Sequence, residues 1–418
     1  MATMGQVGER RSFTVGLGEV AGAVADLGVF VPLAAALILV NGLDPGAVLL
    51  SAGLLVMGSG AFFGIPFPVQ PLKALTAVAV AQTVAPEVIH AAGLEIAALL
   101  LLLSVHRIAD AVARVFTRPV VRALQFGVGA LLVWTAVRLA TDPPGIFLGT
   151  PGSPWPALLA ALAFAGVGLA ARFQRYEVAL LLLVGGIVAA VLAAAPEVGG
   201  PAFHLPAPSW PPATAFAEAF LLLVVPQVPL TFGNAVVAVD DVAHRYLGSA
   251  ARRVSPSRVT LSCGLGNVIS GVLGGMPMCH GAGGLTAHVR LGARTAGMNL
   301  LLGSALVGLG LFFAAQVPVL LGLLPVWVLS AFLAYAGLRH AMLVADLRSA
   351  ELLVAVVAGG VGALTGNLAI TAGLALLAVF TARVGARYLS PRRDAHSSSS
   401  SNASSSEIGP RSRRTSIR

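Results

Sequence analysis

A glycine-rich run with a histidine and a cysteine before it, PMCHGAGGL, lies at 277–285 in the second half of the chain. Its first residues, Pro277 to His280, predict an extended lead-in. The glycines Gly281, Gly283 and Gly284 then mark the start of a short helix. Backbone N–H groups at a helix start lack intrahelical partners and carry the positive end of the helix dipole. Since glycine allows close backbone approach, the run indicates an anion site; tight helix packing on small residues is the alternative.

A second interrupted segment in the first half, PFPVQPLKALTA at 66–77, has the same layout. When the Leu-Thr-Ala triplets at 75–77 and 285–287 are aligned, Gln70 falls opposite His280 and Lys73 opposite Gly283. Paired broken segments at matching positions of two halves are typical of a transporter's binding site. We therefore predict two half-helices, one starting near Pro71 and one near Gly281, that meet at mid-membrane.

Lys73 is the only lysine in the chain. An ionisable side chain at membrane depth is costly and indicates a function. A compact ammonium beside helix N-termini favours an anion, and unlike arginine it can lose its proton. The alternative is a structural pair with Asp26, which is also the candidate proton or charge partner.

The predicted eighth span carries further polar groups in the run PQVPLTFGN at 226–234. Gln227, Thr231 and Asn234 offer amide and hydroxyl groups that can hydrogen-bond the oxygens of a ligand. Hydrogen bonds between helices are the equal alternative.

The composition predicts an all-α integral membrane protein. Of 418 residues, 57% are hydrophobic and 10% are charged, against about 25% charged in soluble domains. Apolar runs of about 20 residues, each long enough to cross a bilayer, recur along the chain. The two cysteines, Cys263 and Cys279, are too few for a disulfide framework or metal cluster. We expect no metal and no cofactor.

We predict about fourteen spans. They lie at 17–40, 46–63, 67–84, 90–106, 119–138, 155–172, 177–195, 214–239, 258–274, 279–294, 296–315, 318–337, 350–364 and 367–386. Arginine is concentrated in alternate loops, with Arg138 as the exception, so the positive-inside rule places both termini in the cytoplasm.

The domain boundaries follow from this count. An N-terminal tail at 1–15 precedes a seven-span repeat at 16–195, and the proline-rich extracytoplasmic linker at 196–212 joins it to a second repeat at 213–387. Equal halves with an odd number of spans must be inverted relative to each other, with the third and tenth spans broken. The basic, Ser-rich tail at 388–418 is expected to be disordered. We expect it in the cytoplasm and not on nucleic acid.

Three runs closely resemble the molybdate transporter family, a distant branch of the sulfate permease group: PFPVQPLKALTA at 66–77, PQVPLTFGNAVVA at 226–238 and MPMCHGAGGLTAHVRLGART at 276–295. Asp26-Leu27-Gly28 with Pro32 resembles it too. The resemblance covers about 16–387. It implies seven-plus-seven inverted repeats, in which a core of spans 1–4 and 8–11 moves against a gate of spans 5–7 and 12–14. The oxyanion is then expected between the third and tenth spans.

We therefore expect a secondary transporter for a tetrahedral dianion, molybdate first, with sulfate and tungstate as anions of the same shape and charge. Backbone N–H groups around 72–74 and 282–284 would hold it. The expected site residues are Gln70, Lys73, Gln227, Thr231, Asn234, His280, Gly281, Gly283 and Gly284.

Three alternatives remain, and one of them is a helix-packing or assembly subunit that has no binding site. A nucleobase:proton symporter of the same architecture would carry carboxylates in spans eight and ten, where this chain has Gln, Asn and His. A membrane enzyme would need a nucleophile–base pair or a metal cluster in the spans, and neither is found there, so we expect no enzyme. The expected partners are the oxyanion, a coupling proton and the lipid of the cell membrane. A homodimer is an open option.

Overall fold

The computed structural model describes residues 13–23, 27–105, 117–142, 155–172, 185, 188, 199–322 and 326–389. The described part is almost entirely helical. The first half contains α1 Leu17–Ala23, α2 Leu27–Leu39, α3 Pro45–Phe63, β1 Gln70–Pro71, α4 Lys73–Ala81, α5 Pro86–Ser104, α6 Arg118–Thr141 and α7 Trp155–Arg172. The second half contains α8 Ala213–Arg253, α9 Pro256–Leu273, β2 Met278–Cys279, α10 Ala282–Arg290, α11 Gly297–Phe312, α12 Val317–Gly322, α13 Val326–Ala341, α14 Ser349–Thr365 and α15 Leu368–Leu389.

Several of these helices can cross a membrane. Five described helices are long and apolar enough, and the bent pair Gly297–Phe312 and Ala314–Leu321 adds a sixth span if counted as one. The half-helices α4 and α10, with 9 residues each, are too short to cross a bilayer alone. The count of about fourteen spans stays a prediction.

The two halves of the chain pack against each other helix by helix. α3 packs on α11, α5 packs on α9, and α6 packs on α13 and α14. Small residues allow the backbones to approach closely, as is usual between membrane helices. A Cβ added to Gly53 would lie only 2.6 Å from the Gly303 carbonyl oxygen. The core is therefore shared by both halves.

The extended lead-ins of the two half-helices form an antiparallel strand pair. Gln70 faces Cys279, and Pro71 faces Met278, which confirms the extended segments predicted before each helix. α10 begins at Ala282, as expected, and ends at Arg290. α4 begins at Lys73 and not near Pro71, because Pro71 belongs to the strand and the Leu72 N–H donates to the Pro277 carbonyl at 3.0 Å.

The eighth span, α8, remains helical through its two prolines, Pro226 and Pro229. Two π-helical stretches, Phe220–Val224 and Thr231–Val237, flank the α-helical turn that contains these prolines. Such wide turns are rare and often mark functional sites. The run at 226–234 therefore changes the hydrogen-bond pattern of α8 locally, and the helix continues through it.

The N-terminal helix α1 is anchored to the turn that follows α10. The buried Glu19 carboxylate accepts hydrogen bonds from the backbone N–H groups of Arg294 at 2.9 Å, Thr295 at 3.0 Å and Met298 at 3.2 Å. A carboxylate at this position satisfies unpaired N–H groups at the start of α11 and complements its dipole. The contact fixes the position of the C-terminal end of α10.

The described part of the linker, residues 199–212, lies across the C-terminal ends of two helices, α9 and α11. Its backbone N–H groups donate from Ala202 to Phe312 at 2.9 Å, from His204 to Leu311 at 2.7 Å and from Ser209 to Val272 at 3.0 Å. The ends of α9 and α11 are those that the sequence places outside the cell. The linker therefore lies at the same end of the molecule as the C-terminal ends of α9 and α11, and its location outside the cell stays a prediction.

Candidate functional site

The first turn of α4 is capped by the eighth span. The Gln227 Oε1 atom accepts from the N–H groups of Ala74 and Leu75, each at 3.1 Å. Its Nε2 donates to Thr231 Oγ1 at 3.1 Å, and both side chains are buried. With the Leu72 N–H bonded to Pro277, three of the four N–H groups that a helix start leaves unpaired are engaged. The expected anion donors around 72–74 are therefore mostly occupied, and Gln227 is positioned as a helix cap.

His280 lies inside the protein between the two halves. Its Nδ1 is 2.7 Å from the Pro68 carbonyl oxygen, and its Nε2 is 3.1 Å from Ser262 Oγ. Phe63 and Phe67 pack edge-on against the ring, with centroid distances of 5.9 and 4.7 Å. Both nitrogens are used and the side chain is fully buried. His280 therefore ties β2 to the β1 lead-in and has no ring nitrogen left for a substrate.

Two buried asparagines hold the extended segments in place. Asn267 Nδ2 donates to the Met278 carbonyl at 2.7 Å, and its Oδ1 accepts from the Met278 N–H at 2.9 Å. Asn299 makes the same pair of bonds to Phe67, at 2.7 and 2.9 Å. Each amide thus pairs with both the N–H and the carbonyl of one residue, as a neighbouring strand would. Non-helical backbone in a membrane protein needs such partners.

The Lys73 ammonium lies at the N-terminus of the opposite half-helix. Its Nζ donates to Gln70 Oε1 at 2.8 Å. The same Oε1 occupies the space that a Cβ on Gly281 would enter. Gly281 is the residue that precedes α10, so the only lysine of the chain stands beside the start of that helix. Its positive charge and the helix dipole act at one place.

The start of α10 is open, in contrast to the start of α4. In the described part of the chain, no protein atom accepts a hydrogen bond from the N–H groups of Ala282, Gly283 or Gly284. Gly283 is exposed, and a Cβ there would meet nothing within 4 Å. Gly284 is buried in the helix. Unpaired N–H groups, open space and the Lys73 charge together form an arrangement that suits an anion.

Of the expected site residues, Asn234 is located only by its backbone, and Asp26 is not located. Asn234 belongs to the π-helical stretch Thr231–Val237, but its side chain lies outside the described residues. Asp26 lies outside them entirely. The residues that the structure brings together are Gln70, Lys73, Gln227, Thr231, His280 and the glycines of α10.

Sequence reasoning missed Asn267, Asn299 and Glu19, which hold the site in place. Glu19 is the only charged residue of α1, and Asn267 and Asn299 carry the only amide side chains of α9 and α11. The only sequence signal for these residues was a polar side chain within an apolar span, because such a side chain is expected to have a partner.

The chain matches a family model described as a molybdate transporter of the MFS superfamily, over residues 18–132 and 219–339. Molybdate transporter 2 of Arabidopsis thaliana is 31% identical over 376 residues, which cover 80% of this chain and 80% of that protein. Molybdate transporter 1 of Chlamydomonas reinhardtii is 31% identical and covers 79% of this chain and 84% of its own length.

Solved structures of anion transporters share the fold. The transmembrane domain of a cyanobacterium bicarbonate transporter, BicA, superposes with a TM-score of 0.61 at 18% identity, covering 85% of this chain and 96% of that chain. Murine Slc26a9, an anion transporter in its inward-facing state, gives 0.63 at 12% identity, covering 90% and 69%. At these identities the likeness concerns the fold alone, and the fold is that of an integral membrane protein. The sequence matches confirm the resemblance seen in the motifs: the chain belongs to the molybdate transporter family.

Proposed function

We propose that this protein is a secondary transporter that carries a tetrahedral oxyanion, molybdate first, across the cell membrane. The observation that carries the proposal is the meeting of the Lys73 ammonium with the open N-terminus of α10. The curated relatives are named for molybdate, and they match this chain at 30–31% identity. Sulfate and tungstate have the same shape and charge and are the nearest alternatives.

The proposed site is less symmetric than the sequence suggests. α10 supplies backbone N–H groups at Ala282, Gly283 and Gly284, whereas α4 supplies the Lys73 charge. Gln70 holds the ammonium in place through its Oε1. Gln227, Thr231 and His280 support the two half-helices through their bonds to protein atoms. A dianion at this place gains charge-assisted hydrogen bonds, which are shorter and stronger than neutral ones.

The arrangement of the two half-helices also supports the inverted repeats. Antiparallel strands lead into α4 and α10 from opposite ends, as expected when the third and tenth spans enter from opposite sides of the membrane. The half-helices are equal in length. We keep seven spans in each half, with both termini in the cytoplasm, as part of the proposal.

Uptake of labelled molybdate by cells that lack their own molybdate transporter tests the function. Cells that express the chain should show saturable uptake, and tungstate should compete with molybdate more strongly than uracil does. Lys73→Ala should abolish or severely reduce uptake while the protein remains inserted, and Lys73→Arg should also impair it because a larger planar head replaces a point charge.

The exposed Arg245, which pairs with Asp241 at 2.9 Å, provides a control for the loss of one cation. Arg245→Ala should leave uptake near normal. Uptake by Lys73→Ala at the level of Arg245→Ala would show that the lysine is structural. Competition by uracil alone would instead indicate a nucleobase transporter.

A further inference from the structure

The antiparallel pairing of β1 and β2 gives the two lead-ins two distinct faces. In such a pair, residues opposite each other point to the same side, and successive residues of one strand alternate between sides. Gln70 lies opposite Cys279, so the two side chains share one face. Gly281 is also extended, with φ −140° and ψ 125°. Because it follows Cys279 by two residues, a Cβ on Gly281 would point to the same face.

The side-chain contacts agree with this division into faces. A Cβ on Gly281 would overlap the Gln70 Oε1 atom, and the same atom accepts a hydrogen bond from Lys73 Nζ at 2.8 Å. The His280 ring instead packs on Phe67, with a centroid distance of 4.7 Å, and both residues belong to the opposite face by alternation. The face that carries Cys279 is therefore the one that is turned toward the ammonium and the start of α10.

Burial shows that this face borders the open space of the proposed site. Met278 and His280, the chain neighbours of Cys279, have no exposed surface, whereas Cys279 keeps 5% of its surface exposed. Lys73 is partly exposed, and Gly283 in the first turn of α10 is exposed. The Cys279 side chain thus lies between the buried strand pair and the space that the anion would occupy.

A thiol differs in chemistry from the other groups of the proposed site. Its S–H is a weak hydrogen-bond donor on a soft, polarizable atom, whereas the ammonium and the backbone N–H groups are strong donors. Taking an ion out of water costs solvation free energy, and for ions of equal charge this cost is larger for the smaller ion. Sulfate is smaller than molybdate and tungstate. A surface that replaces little of the lost hydration therefore disfavours sulfate most.

We propose that the Cys279 thiol lines the oxyanion site and favours molybdate and tungstate over sulfate. The inference rests on the proposed function and names the group that discriminates within its substrate class. Cys279→Ser replaces one atom, the sulfur, by oxygen. The hydroxyl is a stronger donor and returns more of the hydration that sulfate loses, so this variant should discriminate less.

The first experiment tests whether the anion covers the thiol, and it uses the fact that the chain has two cysteines. Cys263→Ala removes the fully buried cysteine of α9 and leaves Cys279 alone. A small methanethiosulfonate reagent should then abolish molybdate binding by the purified full-length protein. Saturating molybdate should slow the modification, followed by mass spectrometry, about tenfold or more. Cys279→Ala is the control for the reagent, and its molybdate binding should not respond to it.

The second experiment measures selectivity as competition by sulfate and by tungstate against uptake of labelled molybdate into liposomes. Cys279→Ser should lower the inhibition constant of sulfate, relative to the KM for molybdate, by about tenfold, which is the order expected for one added hydrogen bond to a charged ligand. The corresponding ratio for tungstate should stay the same. Cys263→Ser makes the same atomic change in α9 and should keep both ratios at the wild-type values.

Equal rates of Cys279 modification with and without molybdate would overturn the inference. A Cys279 that the reagent never modifies would do so as well, because a group that meets a hydrated anion must be accessible to a small water-soluble reagent. An unchanged sulfate ratio in Cys279→Ser would refute the role in selectivity. In each of these cases, saturable molybdate uptake by the wild type would leave the proposed function intact. Wild-type protein that carries no molybdate, tungstate or sulfate would overturn the function and the inference together.

Discussion

Replacing Gln227 tests whether its side chain acts as a helix cap or as a substrate contact. The side chain accepts two hydrogen bonds, from the Ala74 and Leu75 N–H groups, and it is buried. Gln227→Met keeps the volume and removes the acceptor. Leaving a buried N–H group unsatisfied costs about 1–3 kcal/mol, so two such groups should lower the free energy of unfolding by about 2–6 kcal/mol. Because α4 carries Lys73, uptake should fall as well.

The measurement is the thermal unfolding of purified protein in detergent, together with molybdate binding at a temperature where each variant is folded. Gln316→Met is the matched control, since this buried glutamine makes one hydrogen bond, to the Gly200 carbonyl at 2.8 Å, away from the site. Gln316→Met should change the free energy of unfolding much less than Gln227→Met, because the bond lost to Gly200 is offset by removal of the buried, unpaired Gln316 Oε1. Thr231→Val removes only the bond to Gln227 Nε2 and should fall between wild type and Gln227→Met. If Gln227→Met matched wild type in stability but bound molybdate weakly, Gln227 would be a substrate contact and the cap would have no energetic role.

Three further predictions concern two glycines and the topology. Gly281→Ala should lower both stability and molybdate affinity, because its Cβ would overlap the Gln70 Oε1 atom that holds Lys73. Gly283→Ala should keep its stability, since its Cβ meets nothing within 4 Å, and should weaken molybdate binding alone; equal binding by Gly283→Ala and wild type would remove the anion from the start of α10. A tag placed after Arg387 should be inaccessible from outside intact cells, and labelling there without permeabilisation would contradict cytoplasmic termini.

The local backbone of the two half-helices could be predicted because it depends on residue types within a few positions. Proline and glycine disfavour continuation of a helix, so the extended lead-ins and the start of α10 at Ala282 follow from the sequence. The start of α4, predicted near Pro71, lies two residues later, at Lys73. It depends on pairing with Met278 and Pro277, which are distant in the chain.

The roles of individual polar side chains could not be predicted in the same way. Gln227 and His280 were expected to contact the substrate, yet their polar atoms bond mainly to backbone groups of the opposite segments. A polar residue in an apolar span has the same sequence signature whether it binds a ligand or satisfies a backbone group.

Most of the described hydrogen bonds that hold the half-helices come from helices that the resemblance assigns to the core. α4 and its lead-in are held by Asn41, Gln227 and Asn299, from the α2 end, α8 and α11. β2 and its flanks are held by residues of α9, such as Asn267.

Only one described hydrogen bond joins α4 and its flanks to the helices that the resemblance assigns to the gate. Gln82 donates it to the Gly366 carbonyl, in the turn before α15. A site that is hydrogen-bonded mainly to one group and only packed against the other can keep its geometry while the two groups shift. Alternating access needs this property, because the anion must meet the same donors from either side of the membrane. The distribution of hydrogen bonds thus supports the proposal that the whole site moves as a unit against the helices that the resemblance assigns to the gate.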